Sequence, residues 1–147
     1  MGQQQLLLII LGVIIVGIAV AVGIGMFTSL ASDANRDRVI NDLVNLSAKS
    51  QQFLRRPRTM GGGGNDFVGF RLSPSDTGNG NGSYSITQGS PPTGVNFVPG
   101  DTAGVSGTIV TTIYILGCGK ELGYDKVNKM KLYVTIQKDD FKITNLN

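Results

Sequence analysis

No histidine occurs anywhere in the 147 residues, and Cys118 is the sole cysteine. Without histidine the commonest general acid or base and the commonest metal ligand are missing, so Ser/His/Asp and Cys/His catalysis are excluded. A lone cysteine closes no disulfide within the chain and makes neither a CxxC nor a CxxCH motif, which removes zinc sites of that kind and covalently attached haem. The chain therefore does not read as an enzyme, and no catalytic, cofactor-binding or metal-binding residue is expected. Between Gly117 and Gly119, Cys118 suits a small buried or turn position; a bridge to a second subunit is the other reading.

Charge is missing as well, and its absence is local. From Met1 to Ser32 no side chain is charged, and Leu6–Val22 is almost unbroken Leu, Ile, Val, Ala and Gly. As one helix, those 32 residues would reach about 48 Å, more than the about 20 residues needed to cross a bilayer core. A secretory signal peptide fits poorly, because Met1-Gly2-Gln3-Gln4-Gln5 offers no basic start and the apolar region exceeds the usual length. Two readings stay open on hydropathy alone: a plain transmembrane anchor, or a helix that leaves lipid to become the packed core of a polymer.

The residues after the apolar run favour the polymer. Val39, Ile40, Leu43, Val44, Leu46, Phe53 and Leu54 recur at intervals of three and four, interleaved with Asp33, Arg36, Asp37, Arg38, Asp42 and Lys49. One helix is expected from near the N-terminus to about Arg56. There Pro57 restricts its predecessor, and Gly61-Gly62-Gly63-Gly64 is expected to dissolve regular structure. Within the apolar half, Gly12, Gly17, Gly23 and Gly25 each cost about 1 kcal/mol of helix stability relative to Ala in water. Glycine is common in membrane spans; small residues also let neighbouring helices approach closely in an apolar medium and allow local unwinding. The side chains that would line a polymer core are Leu6, Leu7, Leu8, Ile9, Ile10, Leu11, Val13, Ile14, Ile15, Val16, Ile18, Val20, Val22 and Phe27.

Later segments read as strands. Thr108–Leu116 (TIVTTIYIL) is rich in β-branched residues, and Lys129–Gln137 alternates, with Met130, Leu132, Val134 and Ile136 on one face. Lys138-Asp139-Asp140 supplies a turn, after which Phe141 and Ile143 resume the inward face. Phe67–Leu72 or Tyr84–Thr87 would add strands. The expected fold class is α+β: residues 1–56 form a long helix, apolar in residues 1–32 and amphipathic beyond, and residues 57–147 form a small, loop-rich antiparallel β domain on its distal part.

Residues 1–56 resemble the N-terminal segment of a type IV pilin, and the β-rich remainder fits that architecture. The resemblance implies a short basic leader cut by a prepilin peptidase, storage of the subunit in inner-membrane lipid, and transfer by a pilus assembly machinery into a helical homopolymer at the cell surface. If Met1 is the first mature residue, Gln5 stands where the family usually carries a glutamate thought to pair with a neighbour's terminal amine. An amide there can accept a hydrogen bond from that amine but loses the ion-pair term. A cut after Gly2 would instead start the mature chain at Gln3. The Arg and Asp around Asp33–Asp42 would by themselves place the C-terminal part in the cytoplasm, and a removed basic leader reverses that balance. The function these expectations converge on is a major structural filament subunit. A pseudopilin of a secretion system and a single-span surface protein are the alternatives.

The remaining sequence bounds partners. Residues 66–147 carry seven basic and seven acidic side chains, so the net charge of +3 sits in residues 1–58. Arg55, Arg56 and Arg58 are its densest cluster, either a solvated helix end that complements the helix dipole or a contact for an acidic neighbour. A broad basic face with interleaved aromatics is missing, so no nucleic acid is expected as a partner. Ser73–Thr112 is dominated by Ser, Thr, Gly and Pro and favours exposed turns. Its Asp76–Gly82 stretch lacks the closing acidic residue of a calcium loop. Asn81-Gly82-Ser83 matches an N-glycan acceptor, which makes Asn81 a possible glycosylation site.

Overall fold

The computed structural model describes residues 2–93, 104–123, 125 and 127–146. Helix α1 spans Gly2–Arg55, followed by a single 3₁₀ turn at Arg58–Met60. Four strands then form one antiparallel sheet in sequential order: β1 (Gly82–Gln88), β2 (Ile113–Leu122), β3 (Lys129–Ile136) and β4 (Phe141–Asn145). The fold class is thus the expected α+β. The chain divides into two compact units, Met1–Ala34 and Asn35–Asn147, and α1 contributes residues to both.

In the first unit, residues 2–34 are helical throughout. Nothing in the sequence interrupts them: no proline precedes Pro57, and Leu, Ala and Gln are good helix formers.

The second unit is built on the amphipathic half of α1. Asn35, Val39, Leu43, Leu46, Ser47, Ser50 and Leu54 are buried, one residue per turn on one face, which is the spacing that turns a stripe toward a core. That stripe joins Tyr84 and Ile86 of β1, Ile113 and Ile115 of β2, and Met130, Leu132, Val134 and Ile136 of β3 in a single apolar cluster with Phe67, Phe70, Leu72 and Val105. The two buried serines stay satisfied without a partner across the core, because their hydroxyls donate to helix carbonyls at Leu43 and Ser47, each at 2.7 Å.

Two glycines set how near the helix lies to β2. A Cβ on Gly117 would stand 2.9 Å from Val39 Cγ1 and 3.2 Å from Tyr84 Cε1, and one on Gly119 would stand 2.5 Å from Asn35 Oδ1. Both distances are shorter than van der Waals contact, so a side chain at either position would have to displace the helix side chains Val39 or Asn35 packed against β2. The Gly-Cys-Gly run is therefore a packing device inside a strand rather than a turn. Cys118 faces away from the helix, half-buried in β2 opposite Lys131 and Ser83.

Several boundaries differ from expectation. The run expected as a strand from Thr108 enters β2 only at Ile113 and continues to Leu122. Upstream, the Val110 N–H donates to Asp66 Oδ1 at 2.8 Å and its carbonyl accepts from Phe67 N at 3.0 Å, so this part of the chain is held by a loop and not by a strand. Phe67–Leu72 is not a strand either; Gly69, at φ +86°, turns the chain while Phe67, Phe70 and Leu72 enter the core. Tyr84–Thr87 is the segment that supplies the extra strand, within β1. In β4, Ile143 pairs with Val134 and is partly buried, whereas Phe141 pairs with Ile136 at the sheet margin and is 41% exposed.

The four glycines after the helix carry no regular secondary structure, as expected, and the last two of them also cap the helix end. Gly63 N donates to Phe53 O at 2.8 Å, Asn65 N to Leu54 O at 2.8 Å, and Gly64 N to Arg56 O at 2.9 Å, which gives partners to two carbonyls of the last helical turn and to that of Arg56 just beyond it. The wrap is tight enough that a Cβ on Gly63 would collide with the Asp66 carbonyl. Arg58 closes it from outside, donating from Nε to Gly63 O at 3.0 Å and from Nη2 to Asp66 Oδ2 at 3.3 Å. Of the three clustered arginines, Arg58 is thus tied to the loop, while Arg55 and Arg56 are exposed.

Candidate functional site

The first candidate is the surface of residues 2–34. Each apolar side chain singled out in the sequence lies on this helix, with exposure running from 50% at Leu11 to 75% at Phe27. Leu6 to Leu11 form six consecutive exposed large apolar residues, so they circle the helix and leave it no polar side. An uncharged 18-residue window here has a mean hydropathy of 3.2 and is wholly unburied within the chain, a combination that in length and composition can cross a bilayer. Water is a poor solvent for such a surface: roughly 25 cal/mol is gained for every Å² of apolar area removed from it.

Gly12, Gly17, Gly23 and Gly25 all lie within this helix, and a Cβ built on any of them would meet nothing within 4 Å. Among the described residues nothing calls for their small size. Thr28, one turn beyond Gly25, donates its hydroxyl to the Gly25 carbonyl at 2.9 Å and so hides its polarity on the backbone. Gln5 is exposed near the helix start. Met1 lies outside the described residues.

A second, polar site was not foreseen. Asp42 stands on the helix flank beside the core stripe, and its Oδ2 accepts three hydrogen bonds: from Tyr84 Oη at 2.6 Å, Asn79 Nδ2 at 2.8 Å and Asn81 Nδ2 at 2.9 Å. Burial by itself would raise the Asp42 carboxyl, but the hydrogen bonds from Asn81, Tyr84 and Asn79 outweigh it and hold the group below the ordinary carboxylate range. The same pair pushes the Tyr84 phenol upward, through burial first and then the neighbouring carboxylate. Both groups thus keep one protonation state near neutrality, Tyr84 as donor and Asp42 as acceptor.

Asn79 has a double role. Its Oδ1 accepts from Asn81 N at 2.8 Å and Gly82 N at 3.0 Å, shaping the turn that leads into β1. Asn35 continues the network at the other side: its Nδ2 donates to the Asn81 carbonyl at 2.9 Å, and its Oδ1 accepts from Lys120 N at 3.1 Å. The stretch read in the sequence as a failed calcium loop is therefore a side-chain latch onto α1. Asn81 is also not the free loop acceptor the glycosylation motif implied: it is half-buried, and the amide nitrogen that a glycan would occupy is donated to Asp42. Beyond the latch, Asp42, Asn45, Lys49 and Gln52 face Ser75 and Asp76 across an open groove of about 480 Å³. An exposed ion pair between Lys49 Nζ and Asp76 Oδ1, at 2.7 Å, spans it.

No protein-family model, curated protein or solved structure matches the chain. What the chain itself offers is two sites of opposite kind: an uncovered apolar helix surface, and a polar latch whose groups satisfy one another.

Proposed function

We propose that the chain is a major structural subunit of an extracellular, type IV pilus-like helical filament, held together by its apolar N-terminal helices. The observation that supports this most is the apolar surface of residues 2–34, circular and unburied within a single chain. A dimer would cover one side of such a helix and leave the other in water. Only a medium that surrounds it, first lipid and then a bundle of copies, removes the whole surface from solvent.

Neighbours that repeat by a rotation combined with a rise along an axis form an open fibre instead of a closed ring. The small glycines then acquire a use, because each lets another helix come closer than a larger residue would allow. The resemblance of residues 1–56 to type IV pilin N-termini points the same way, and the substitution of Gln5 for the usual glutamate leaves a hydrogen-bonding amide near the start of the packed helix. Attachment, motility and surface display are uses such a fibre could serve.

Negative-stain imaging of material sheared from cells expressing the chain tests the proposal, with immunogold labelling against residues of the second unit. Labelled fibres are expected. Labelled chains confined to the membrane, with no fibres sheared off, overturn the filament reading in favour of a single-span anchored protein.

A further inference from the structure

The latch contains two Asn-Gly pairs, Asn79-Gly80 and Asn81-Gly82. Asn-Gly is the dipeptide most prone to spontaneous loss of its side-chain amide, because glycine places no Cβ in the path of its own backbone nitrogen toward the preceding side chain. Folded structure decides which pair reacts, since the nitrogen must be free and the glycine able to move.

The two glycines differ sharply. Gly80 is exposed, a Cβ on it would meet nothing within 4 Å, and its N–H has no hydrogen-bond partner among the described residues. Gly82 opens β1 opposite Gly119, its N–H donates to Asn79 Oδ1, and a Cβ on it would strike the Cys118 carbonyl. Attack by Gly82 on Asn81 would require breaking that hydrogen bond and moving a packed strand.

Asn79 is also chemically primed. Two backbone N–H groups already point at its amide oxygen, where negative charge builds when a nucleophile adds to the amide carbon. We infer that Asn79 is a site of spontaneous deamidation, protected Asn81 being its built-in control, and that the product carboxylate releases the 76–82 loop from α1 through its opposition to Asp42.

The step balances with water alone. The Gly80 nitrogen gives its proton to solvent base and bonds to Asn79 Cγ; the Cγ–Nδ2 bond breaks, and Nδ2 leaves, reprotonated, as ammonia. Water then opens the succinimide, at Cγ to give aspartate or at the backbone carbonyl carbon to give isoaspartate, so one water is consumed and no electrons are exchanged. The aspartate product can still accept from Asn81 N and Gly82 N. It has lost the donor to Asp42 Oδ2 and set a second negative charge within hydrogen-bond distance of the first.

The test uses the full-length chain in detergent at mildly alkaline pH, beside a denatured sample of the same chain, with peptide mapping that separates Asn, Asp and isoaspartate at residues 79 and 81. The denatured sample is expected to convert at both positions. The folded chain is expected to convert at Asn79, with Asn81 slower by at least an order of magnitude, and Gly80→Ala, tolerated in open space, is expected to slow Asn79 by a similar factor. Equal rates at the two positions in the folded chain, or an intact Asn79 once the denatured sample is spent, overturn the site. For the consequence, Asn79→Asp stands in for the aged product. Amide hydrogen exchange across Gly78–Gly82 is expected to quicken by an order of magnitude in that variant and to return toward wild type when Asp42→Asn restores a donor. Exchange unchanged by Asn79→Asp overturns the release.

Discussion

The two halves of α1 obey the same backbone geometry and differ in what they face. Residues 35–55 turn one stripe inward, and its apolar members Val39, Leu43, Leu46 and Leu54 are buried in one cluster with strand and loop residues. Residues 6–30 present apolar side chains on all sides, and they stand exposed among the described residues. One helix thus performs two separate tasks. A single stripe is enough to bind a helix to its own domain, whereas a full coat can be satisfied only by an environment outside the chain.

The largest effect expected from this contrast comes from placing one charge in the coat. Ile14→Lys lies mid-way along the apolar run, far from the second unit's core residues in sequence. A lysine at the centre of a membrane helix costs roughly 2.5–3.5 kcal/mol on insertion scales, and in a packed bundle of copies the penalty repeats at every subunit. Fibres sheared from cells are expected to disappear, while the thermal unfolding of the second unit, followed in detergent by near-ultraviolet circular dichroism of its tyrosines, stays where it was. A shift in that unfolding would break the claim that the two halves do separate work.

A matched pair of truncations sharpens the same contrast on stability. Leu43 is fully buried and Leu8 is 69% exposed. Leu43→Ala is expected to destabilise the second unit by about 2–5 kcal/mol, the range for emptying a packed leucine site, and Leu8→Ala to leave its unfolding unchanged. Denaturant midpoints of the two variants in detergent check both halves of the statement.

Sequence periodicity made much of this visible. The stripe from Val39 to Leu54 and the alternation of Met130, Leu132, Val134 and Ile136 are local patterns, and both turned inward as expected except at Val44, which lies outside the core cluster. The start of β2 was illegible because Thr108–Thr112 has the composition of a strand, while Val110 is claimed by Asp66, 44 residues away. Gly117-Cys118-Gly119 resembles a turn in sequence; only the positions of Val39 and Asn35 against the sheet reveal why those glycines must be small. The polar latch was hidden for the same reason. Asp42 meets Asn79, Asn81 and Tyr84 across separations of 37, 39 and 42 residues, and no spacing rule links them. The apolar coat depends only on composition, and most of it was legible; the exposed Ile24, Met26 and Leu30 extend it beyond the residues singled out in the sequence.

The smallest effect is one of pH, and it belongs to the second unit alone, since residues 1–32 hold no charged side chain. Asp66 is 4% exposed; burial would raise its carboxyl, but the N–H groups of Val110 and Val68 and then the charge of Arg58 more than reverse that and hold it low. Asp42 is held low by its own three donors. A carboxyl that binds its proton less tightly when folded than when unfolded adds stability at every pH above its ordinary value of 3.8. Below that value the unfolded chain takes up protons first, and the contribution shrinks until the pH has passed through the lower folded-state value. Denaturant midpoints should therefore be flat from neutrality down toward the ordinary carboxyl range and fall below it. In Asp66→Asn, which cannot titrate but keeps the Oδ1 acceptor that both N–H groups use while losing the charged Oδ2 partner of Arg58, stability near neutrality is expected to drop and the acid fall to become shallower. An acid limb as steep as in the wild-type chain would mean that other carboxyls govern it, and that the cap around Asp66 contributes through shape and not through charge.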